Sequence, residues 1–297
     1  MKKILVFGGT GLVGSKFLQL QKDKFDIKAP GAQEIDILEE KKVAELINQS
    51  DSETVINFAA FTQVEIAEED KGNKEGIAYK LNALGAKNVA DACKVANKKL
   101  IHISTEYVFD GTKSDCPYNE EDKPNPKNWY GQTKYFGEQF IMDSGCKFTM
   151  VRISMPFSPY YELKKDVARF FFEQLKNKTE INAISDQKIT PTLVSDISSS
   201  LEMLINKEAE GIYHICSKNY TTPFEFAKLI AQTFEFDSSL IKPILLESYN
   251  QKKMAKLLKF SWLDCHKFEQ EFGDNVLHNV ADGLQVFKQA VDGSGSN

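Results

Sequence analysis

Residues Ile4 to Phe7 form a short apolar run that ends on Gly8-Gly9-Thr10-Gly11-Leu12-Val13-Gly14, and this junction constrains the fold more than any other stretch of the chain. An apolar run of that length, bounded by glycine, reads as a buried strand. Beyond it Leu12, Val13, Phe17, Leu18 and Leu20 recur at helical rather than alternating spacing, so the order is strand, glycine turn, helix. The glycines satisfy G-x-G-x-x-G through Gly9, Gly11 and Gly14, and a wider G-x-x-G-x-x-G through Gly8, Gly11 and Gly14. Where such a loop opens a helix, backbone N–H groups and the positive end of the helix dipole can hold a pyrophosphate. A tight turn without a ligand is the alternative reading of the same glycines.

The alternation continues. Strands are expected over Phe25–Ala29, Thr54–Phe58, Leu100–Ser104 and Phe148–Ile153, separated by helices over Lys41–Ile47, around Asn82–Ala96 and around Tyr130–Met142. Regular alternation implies an α/β fold, a Rossmann-like doubly wound parallel sheet with right-handed crossovers. After Arg152 the regularity breaks at Pro156, Pro159 and Pro191, with a helix expected over Lys165–Leu175 and another over Pro223–Phe234, whose proline suits a first helical turn. Gly211–Cys216 reads as a strand returning to the main sheet. At 297 residues the chain is long for one core, so two lobes are expected. Residues 1–153 with about 193–216 form the dinucleotide-binding domain, 154–192 with 217–291 a smaller α/β substrate lobe, and 292–297 a flexible tail.

Composition narrows the function classes. A hydrophobic content of 42% with 27% charged residues is globular, and a net charge of -5 gives no general attraction to nucleic acid or an anionic membrane. The apolar run at the start is cut by Gly8 too early for a signal-peptide core, and no stretch reaches the length of a membrane helix. The five cysteines are scattered with no C-x-x-C spacing, which reads as reduced structural thiols and fits a cytoplasmic protein. His102, His214, His266 and His278 lie far apart, so no metal site is expected.

A dinucleotide with a free ribose hydroxyl usually meets an acid at the end of the second strand. Here that stretch is Ile27-Lys28-Ala29-Pro30-Gly31, with no carboxylate to repel a 2′-phosphate. The cofactor reading therefore leans slightly to NADPH over NADH, with Asp36 and Ile37 placed to flank the adenine. Tyr130 and Lys134 stand four apart on an expected helix and share a face. A lysine charge, with the oxidised nicotinamide, favours the phenolate, so the tyrosine can exchange a proton near neutrality. Thr105 follows the expected strand at its C-terminal edge, where open α/β sheets place ligands.

Taken together, Gly8 to Gly14, Asn57-Phe58-Ala59-Ala60-Phe61-Thr62, Ser104-Thr105-Glu106-Tyr107-Val108-Phe109-Asp110-Gly111 and Tyr130-Gly131-Gln132-Thr133-Lys134 resemble the extended short-chain dehydrogenases of the dTDP-4-dehydrorhamnose reductase group. The likeness continues through Asp186-Gln187, Pro191-Thr192, Asp196 and Gly211-Ile212-Tyr213-His214. It implies reduction of a nucleotide-linked 4-keto-6-deoxy sugar, with catalytic Thr105, Tyr130 and Lys134. It implies cofactor contacts from Gly8, Thr10, Gly11, Leu12, Val13, Gly14, Asp36, Ile37, Ala59, Ala60, Thr62, Tyr130 and Lys134. Substrate contacts would come from Thr105, Glu106 and Met155, and the assembly would be a homodimer.

The chain departs from that group at two places. Glu106 stands where the reductases have Asp, and Ile153-Ser154-Met155-Pro156-Phe157-Ser158 replaces a Trp-containing segment near the sugar. Related dehydratases carry Thr-Asp-Glu, whereas this chain has Thr105-Glu106-Tyr107, which favours reduction. Lys164, Lys165 and Arg169 are positioned in sequence to meet a diphosphate or to lie on a solvated surface. Two other readings accompany the resemblance: a nucleotide-sugar epimerase, and a non-catalytic NADP-binding subunit similar to the regulatory β subunit of methionine adenosyltransferase.

Overall fold

A computed structural model describes residues 1–160 and 165–294. The chain opens with β1 (Lys3–Phe7), α1 (Leu12–Gln21), β2 (Asp26–Lys28), α2 (Glu40–Gln49), β3 (Thr54–Asn57) and α3 (Val64–Glu69). There follow α4 (Ile77–Tyr79), a π-helical turn (Lys80–Gly85), α5 (Ala86–Val95), β4 (Lys99–Thr105), a 3₁₀ turn (Glu106–Val108), α6 (Trp129–Ser144) and β5 (Phe148–Ile153). The expected strands and helices are present within a few residues of their expected ends. The stretch around Asn82–Ala96 differs, because its start is wound as a π-helix rather than an α-helix.

Two compact units divide the chain. The first holds Met1–Asp110, Asp122–Arg152 and Ser198–Tyr213, the second Gly111–Glu121, Ile153–Ile197 and His214–Asn297. The segment Gly111–Glu121 groups with the second unit because its backbone bonds are made there: Phe260 N–H donates to Gly111 O, and Tyr118 N–H to Trp262 O. Hydrophobic spacing carries no sign of that assignment.

The six-stranded sheet runs β10-β5-β4-β3-β1-β2, where β10 is Gly211–Ile215, the returning strand expected from sequence. β1 pairs in parallel with both β2 and β3, and β3 in parallel with β4. β1, β3 and β4 are almost wholly buried along their length, as strands covered on both faces must be. Leu5, Phe7, Val55, Leu100 and Met150 from the sheet pack with Val43, Ile47, Val89, Cys93 and Ile141 from α2, α5 and α6. The chain leaves β1 for β2 on one side and returns to β3 on the other. The loops after β1 and β3 therefore diverge at a switch point, where such sheets open a crevice.

The second unit contains β6 (Pro156–Phe157), α7 (Val167–Lys176), β7 (Ile181–Ile184), β8 (Lys188–Ile189), β9 (Thr192–Leu193) and the start of α8 (Val194–Asn206). It adds α9 (Pro223–Phe234), β11 (Ile241–Ile244), α10 (Leu246–Asn250), β12 (Phe260–Ser261), α11 (His266–Phe272) and α12 (Val280–Ser294). Short parallel pairs, β7 with β11, β8 with β12 and β6 with β9, replace a continuous sheet. Their core is aromatic: Phe157, Phe171, Phe226 and Phe287 are buried together, and Phe172 packs on Phe234. Phe170 points outward, so only two of the three consecutive phenylalanines belong to this core.

Thr222 caps α9 by accepting from Glu225 N–H, with Pro223 at the first turn as its sequence suggested. α12 continues to Ser294, so residues 292–294 of the expected tail are helical, carried on by the buried positions Val280, Leu284 and Phe287. Residues 295–297 lie outside the described part. All five cysteines are free, four of them buried. No helix among the described residues is long and apolar enough to cross a membrane.

Candidate active site

The glycine loop is built for close approach. Gly8 has φ +73, and a Cβ there would stand 2.3 Å from the Ala59 nitrogen, so the loop after β1 lies directly on the segment after β3. A Cβ on Gly14 would stand 2.5 Å from Gly8 O, which already accepts from Gly11 N–H at 3.1 Å. Gly11 caps α1 with no side chain on its first N–H groups, and the first turn has no acid. Those donors and the helix dipole are available to an anion.

A cavity of about 310 Å³ opens beside this loop. Of the residues expected at the cofactor, Gly8, Thr10, Gly11, Asp36, Ile37, Ala59 and Ala60 line it. Leu12, Val13, Gly14, Thr62, Tyr130 and Lys134 are outside that lining, the first three because they form the initial turn of α1 behind the loop. Ala29 to Ala32, Phe58 and Leu81 also line it, residues that carry no motif. The Asp36 carboxylate accepts from Leu38 N–H at 2.9 Å and so closes its own turn, while Glu34 accepts from Gly31 N–H at 2.9 Å. Lys28 is exposed at the end of β2. Gly14→Ala should weaken NADPH binding about tenfold, since Gly8 must move to admit the methyl group and one decade is about 1.4 kcal/mol. A fluorescence titration giving a Kd within twofold of the parent protein would show that this loop does not grip the dinucleotide.

The proton-handling groups are gathered in the same unit. β4 delivers Thr105 to its C-terminal edge, where Thr105 caps the 3₁₀ turn by accepting from Tyr107 N–H. Its hydroxyl donates to Glu106 Oε2 at 2.7 Å and acts on the nearby Tyr130 phenol. Asn128 caps α6, accepting from Gly131 N–H at 2.8 Å. A Cβ on Gly131 would come within 2.2 Å of Tyr107 O, so this glycine lets α6 rest on the 3₁₀ turn and brings Tyr130 to Thr105. Tyr130 is buried with its ring edge-on to Tyr107.

Burial pushes the Tyr130 phenol well above its ordinary value, the charge of buried Glu106 pushes the same way, and the Thr105 hydroxyl opposes them. The sequence argument, in which Lys134 and an oxidised nicotinamide draw the phenol toward neutrality, therefore does not describe this state. The difference arises because Glu106 and desolvation dominate. The consequence is a tyrosine that holds its proton until a proton acceptor arrives.

Lys134 is fully buried and donates to Ile103 O at 2.7 Å, with His102 Nε2 at 3.3 Å. Burial lowers its pKa to about 8 against the opposing pull of Glu138. His102 is kept neutral by burial and by Lys134. Behind them Glu138 forms a bidentate pair with Arg152, at 3.0 and 2.7 Å. Arg152 is thus the partner of a carboxylate in the interior of the first unit.

Three contributors had no sequence signal of their own, His102, Asn82 and Glu138, and Asn57 stood out only as the first residue of the Asn57–Thr62 stretch. Asn82 sits in the π-helix, pairs with both backbone groups of Phe61, and donates to Thr133 Oγ1 at 3.0 Å, tying the loop after β3 to α6. Glu68 on α3 accepts from Trp129 N–H at 2.6 Å and so anchors the beginning of α6. Met155 lies in the second unit, with φ +38 and its carbonyl accepting from Thr192 N–H. Lys165 pairs with Glu173, and Arg169 with Asp166, each within its own helix or cap. Lys164 lies outside the described residues.

A glycine-looped parallel sheet with Tyr130 and Lys134 one helical turn apart, beside a strand-end threonine, defines an extended short-chain dehydrogenase/reductase. More narrowly, residues 1–290 match the family described as the RmlD substrate binding domain, and the chain belongs to it. It is 29% identical over 286 residues to the dTDP-4-dehydrorhamnose reductase of Aggregatibacter actinomycetemcomitans, covering 92% of this chain and 94% of that one. It is 28% identical over 283 residues to methionine adenosyltransferase 2 subunit beta of Rattus norvegicus, covering 90% and 82%. The crystal structure of dTDP-4-dehydrorhamnose reductase from Bacillus anthracis in complex with NADP superimposes with a TM-score of 0.88 at 29% identity, over 98% of this chain and 100% of that one.

Proposed function

We propose that this protein reduces the 4-keto group of a dTDP-linked 4-keto-6-deoxy sugar, using NADPH in preference to NADH. The observation that carries this reading is the burial of Tyr130 and Lys134 one helical turn apart on α6 with Thr105 at the end of β4, in a chain whose family match spans residues 1–290. The residues present fit a dinucleotide, because a cavity of about 310 Å³ opens beside Gly8 to Gly11 at the start of α1, whose first N–H groups have no side-chain cap. The loop from Gly8 to Gly14, with Ala59 and Ala60, would hold it, and when bound the reduced nicotinamide supplies the hydride that C4 receives.

The chain itself supplies the proton. Tyr130 gives its phenolic proton to the carbonyl oxygen, so that C=O becomes CH–OH, and the nearby Lys134 charge stabilises the phenolate left behind. Thr105 orients the Tyr130 hydroxyl. Its own proton is committed to Glu106 and turns toward the substrate oxygen only when that carboxylate releases it. Glu106 thus acts through Thr105, which gives the longer side chain at this position a definite task.

Single-turnover oxidation of NADPH, followed by absorbance after mixing with dTDP-4-keto-6-deoxyglucose and its C5-epimerised product, tests the proposal. A stoichiometric loss of reduced cofactor with at least one of these sugars is expected. Tight NADPH binding without oxidation by either would instead favour a binding role of the kind named in the methionine adenosyltransferase relative.

A further inference from the structure

Lys134 is held between a helix and two strands, and its polar neighbours leave little freedom in where protons sit. Asn57 on β3 stands opposite His102 on β4 in the parallel register. Asn57 Oδ1 accepts from Ala59 N–H at 3.0 Å, which fixes the orientation of the amide. Its Nδ2, a donor only, then faces His102 Nδ1 at 3.3 Å. Nδ1 must be the acceptor. A neutral imidazole carries one donor and one acceptor, so the proton belongs on Nε2, the nitrogen that faces Lys134 Nζ at 3.3 Å.

The fit of this chain of contacts depends on the charge of the lysine. A neutral amine has a lone pair and accepts from the Nε2–H, so every contact is matched. An ammonium has donors only, and meets Nε2–H donor to donor. Moving the imidazole proton to Nδ1 relieves that contact and creates the same conflict with the Asn57 amide. We propose that Asn57 and His102 form a positioning pair that weakens the hold of Lys134 on its proton. The catalytic consequence rests on the reductase reading, whereas the proton arrangement does not.

The surrounding charges leave this role open to the pair. On α6 itself Glu138 strengthens the lysine's hold, and Arg152 from β5 is paired to Glu138. From the 3₁₀ turn Glu106 acts on Tyr130, and from α3 Glu68 is bound to Trp129 N–H. The π-helix and α5 present uncharged Asn82 and Ala86 to α6, and α4 presents Tyr79. Burial acts in the same direction as the proposed pair. For a reductase that needs a charged lysine beside the phenolate, turnover falls as pH rises through the Lys134 midpoint.

The full chain labelled with ¹⁵N-histidine reports the tautomer directly, with His102 assigned by the loss of its signals in His102→Gln. The Nε2–H form is expected between about pH 6 and 9, and an Nδ1–H form in the parent protein would overturn the proposal. Asn57→Asp offers a carboxylate to Nδ1–H, so the proton should move to Nδ1 and leave Nε2 to accept from the ammonium. The Lys134 midpoint, read from its ¹³Cε shift, and the alkaline limb of kcat/KM should both rise by about one pH unit, tenfold in proton affinity. A rise with the proton still on Nε2 is a plain charge effect and counts against the pair. Where Asn57→Asp does not fold, the tautomer of the parent protein decides alone. Absence of turnover with the Nε2–H form intact would sink the reductase reading and leave the proton arrangement standing.

Discussion

Tyr130→Phe is expected to cut turnover about 10³-fold, within the range that a positioned general acid contributes. NADPH affinity should stay within about twofold, because a tenfold change needs about 1.4 kcal/mol and the glycine cradle is untouched. The ring is buried and packs edge-on against Tyr107, contacts that phenylalanine keeps. Only the hydroxyl goes, and with it the influence of Thr105 on the phenol. Thr105 retains its bond to Glu106 and its cap on the 3₁₀ turn, so the fold should lose about 1 kcal/mol at most. Stopped-flow NADPH oxidation and a fluorescence titration on the same preparation separate the two effects. A variant turning over within tenfold of the parent protein would remove Tyr130 from the proton path.

Much of this centre was legible in the sequence, and the division between what could and could not be read has a physical cause. Gly8 and Gly14 declare themselves because a backbone must come close to another backbone, and no other residue fits where a Cβ would meet Ala59 or Gly8. Tyr130 and Lys134 declare themselves through helical spacing. Asn57, His102 and Asn82 act through partners far away in sequence, 45 residues for Asn57 with His102 and 51 for Asn82 with Thr133, and no local pattern encodes such a contact. The π-helix is silent for another reason: Lys80 to Gly85 has ordinary helical composition, and its winding is set by packing on α6, where a Cβ on Gly137 would meet Asn82 O at 2.2 Å. The Tyr130 proton affinity in the cofactor-free protein turns on burial and then on the Glu106 charge, neither of which helical spacing encodes.

Arg152→Met should destabilise the protein by about 3–5 kcal/mol, the loss expected when one partner of a buried ion pair is removed. Arg152 and Glu138 are 1% and 0% exposed, and the guanidinium lies over the Phe109 ring at 5.1 Å. With the arginine gone, Glu138 is left as a carboxylate in the interior without its bidentate partner, and only the more distant Lys134 charge offsets it. At roughly 2–4 °C per kcal/mol for a domain of this size, the melting temperature should fall by about 10 °C. Adding Glu138→Leu should restore most of the loss, because an apolar pair of similar volume often matches a buried salt bridge. Arg152 Nη1 has no hydrogen-bond partner among the described residues, so part of the native desolvation is uncompensated and the apolar pair avoids it. The rescued protein should nevertheless differ in its chemistry. Glu138 strengthens the hold of Lys134 on its proton, so without it the lysine midpoint moves below about 8 and the charged form is lost earlier as pH rises. The alkaline limb of kcat/KM should therefore shift to lower pH in the double variant while its melting temperature recovers. A double variant as unstable as Arg152→Met would show that shape rather than charge holds this corner of the core. Recovery of stability with an unmoved pH profile would show that Glu138 serves the fold and not the lysine.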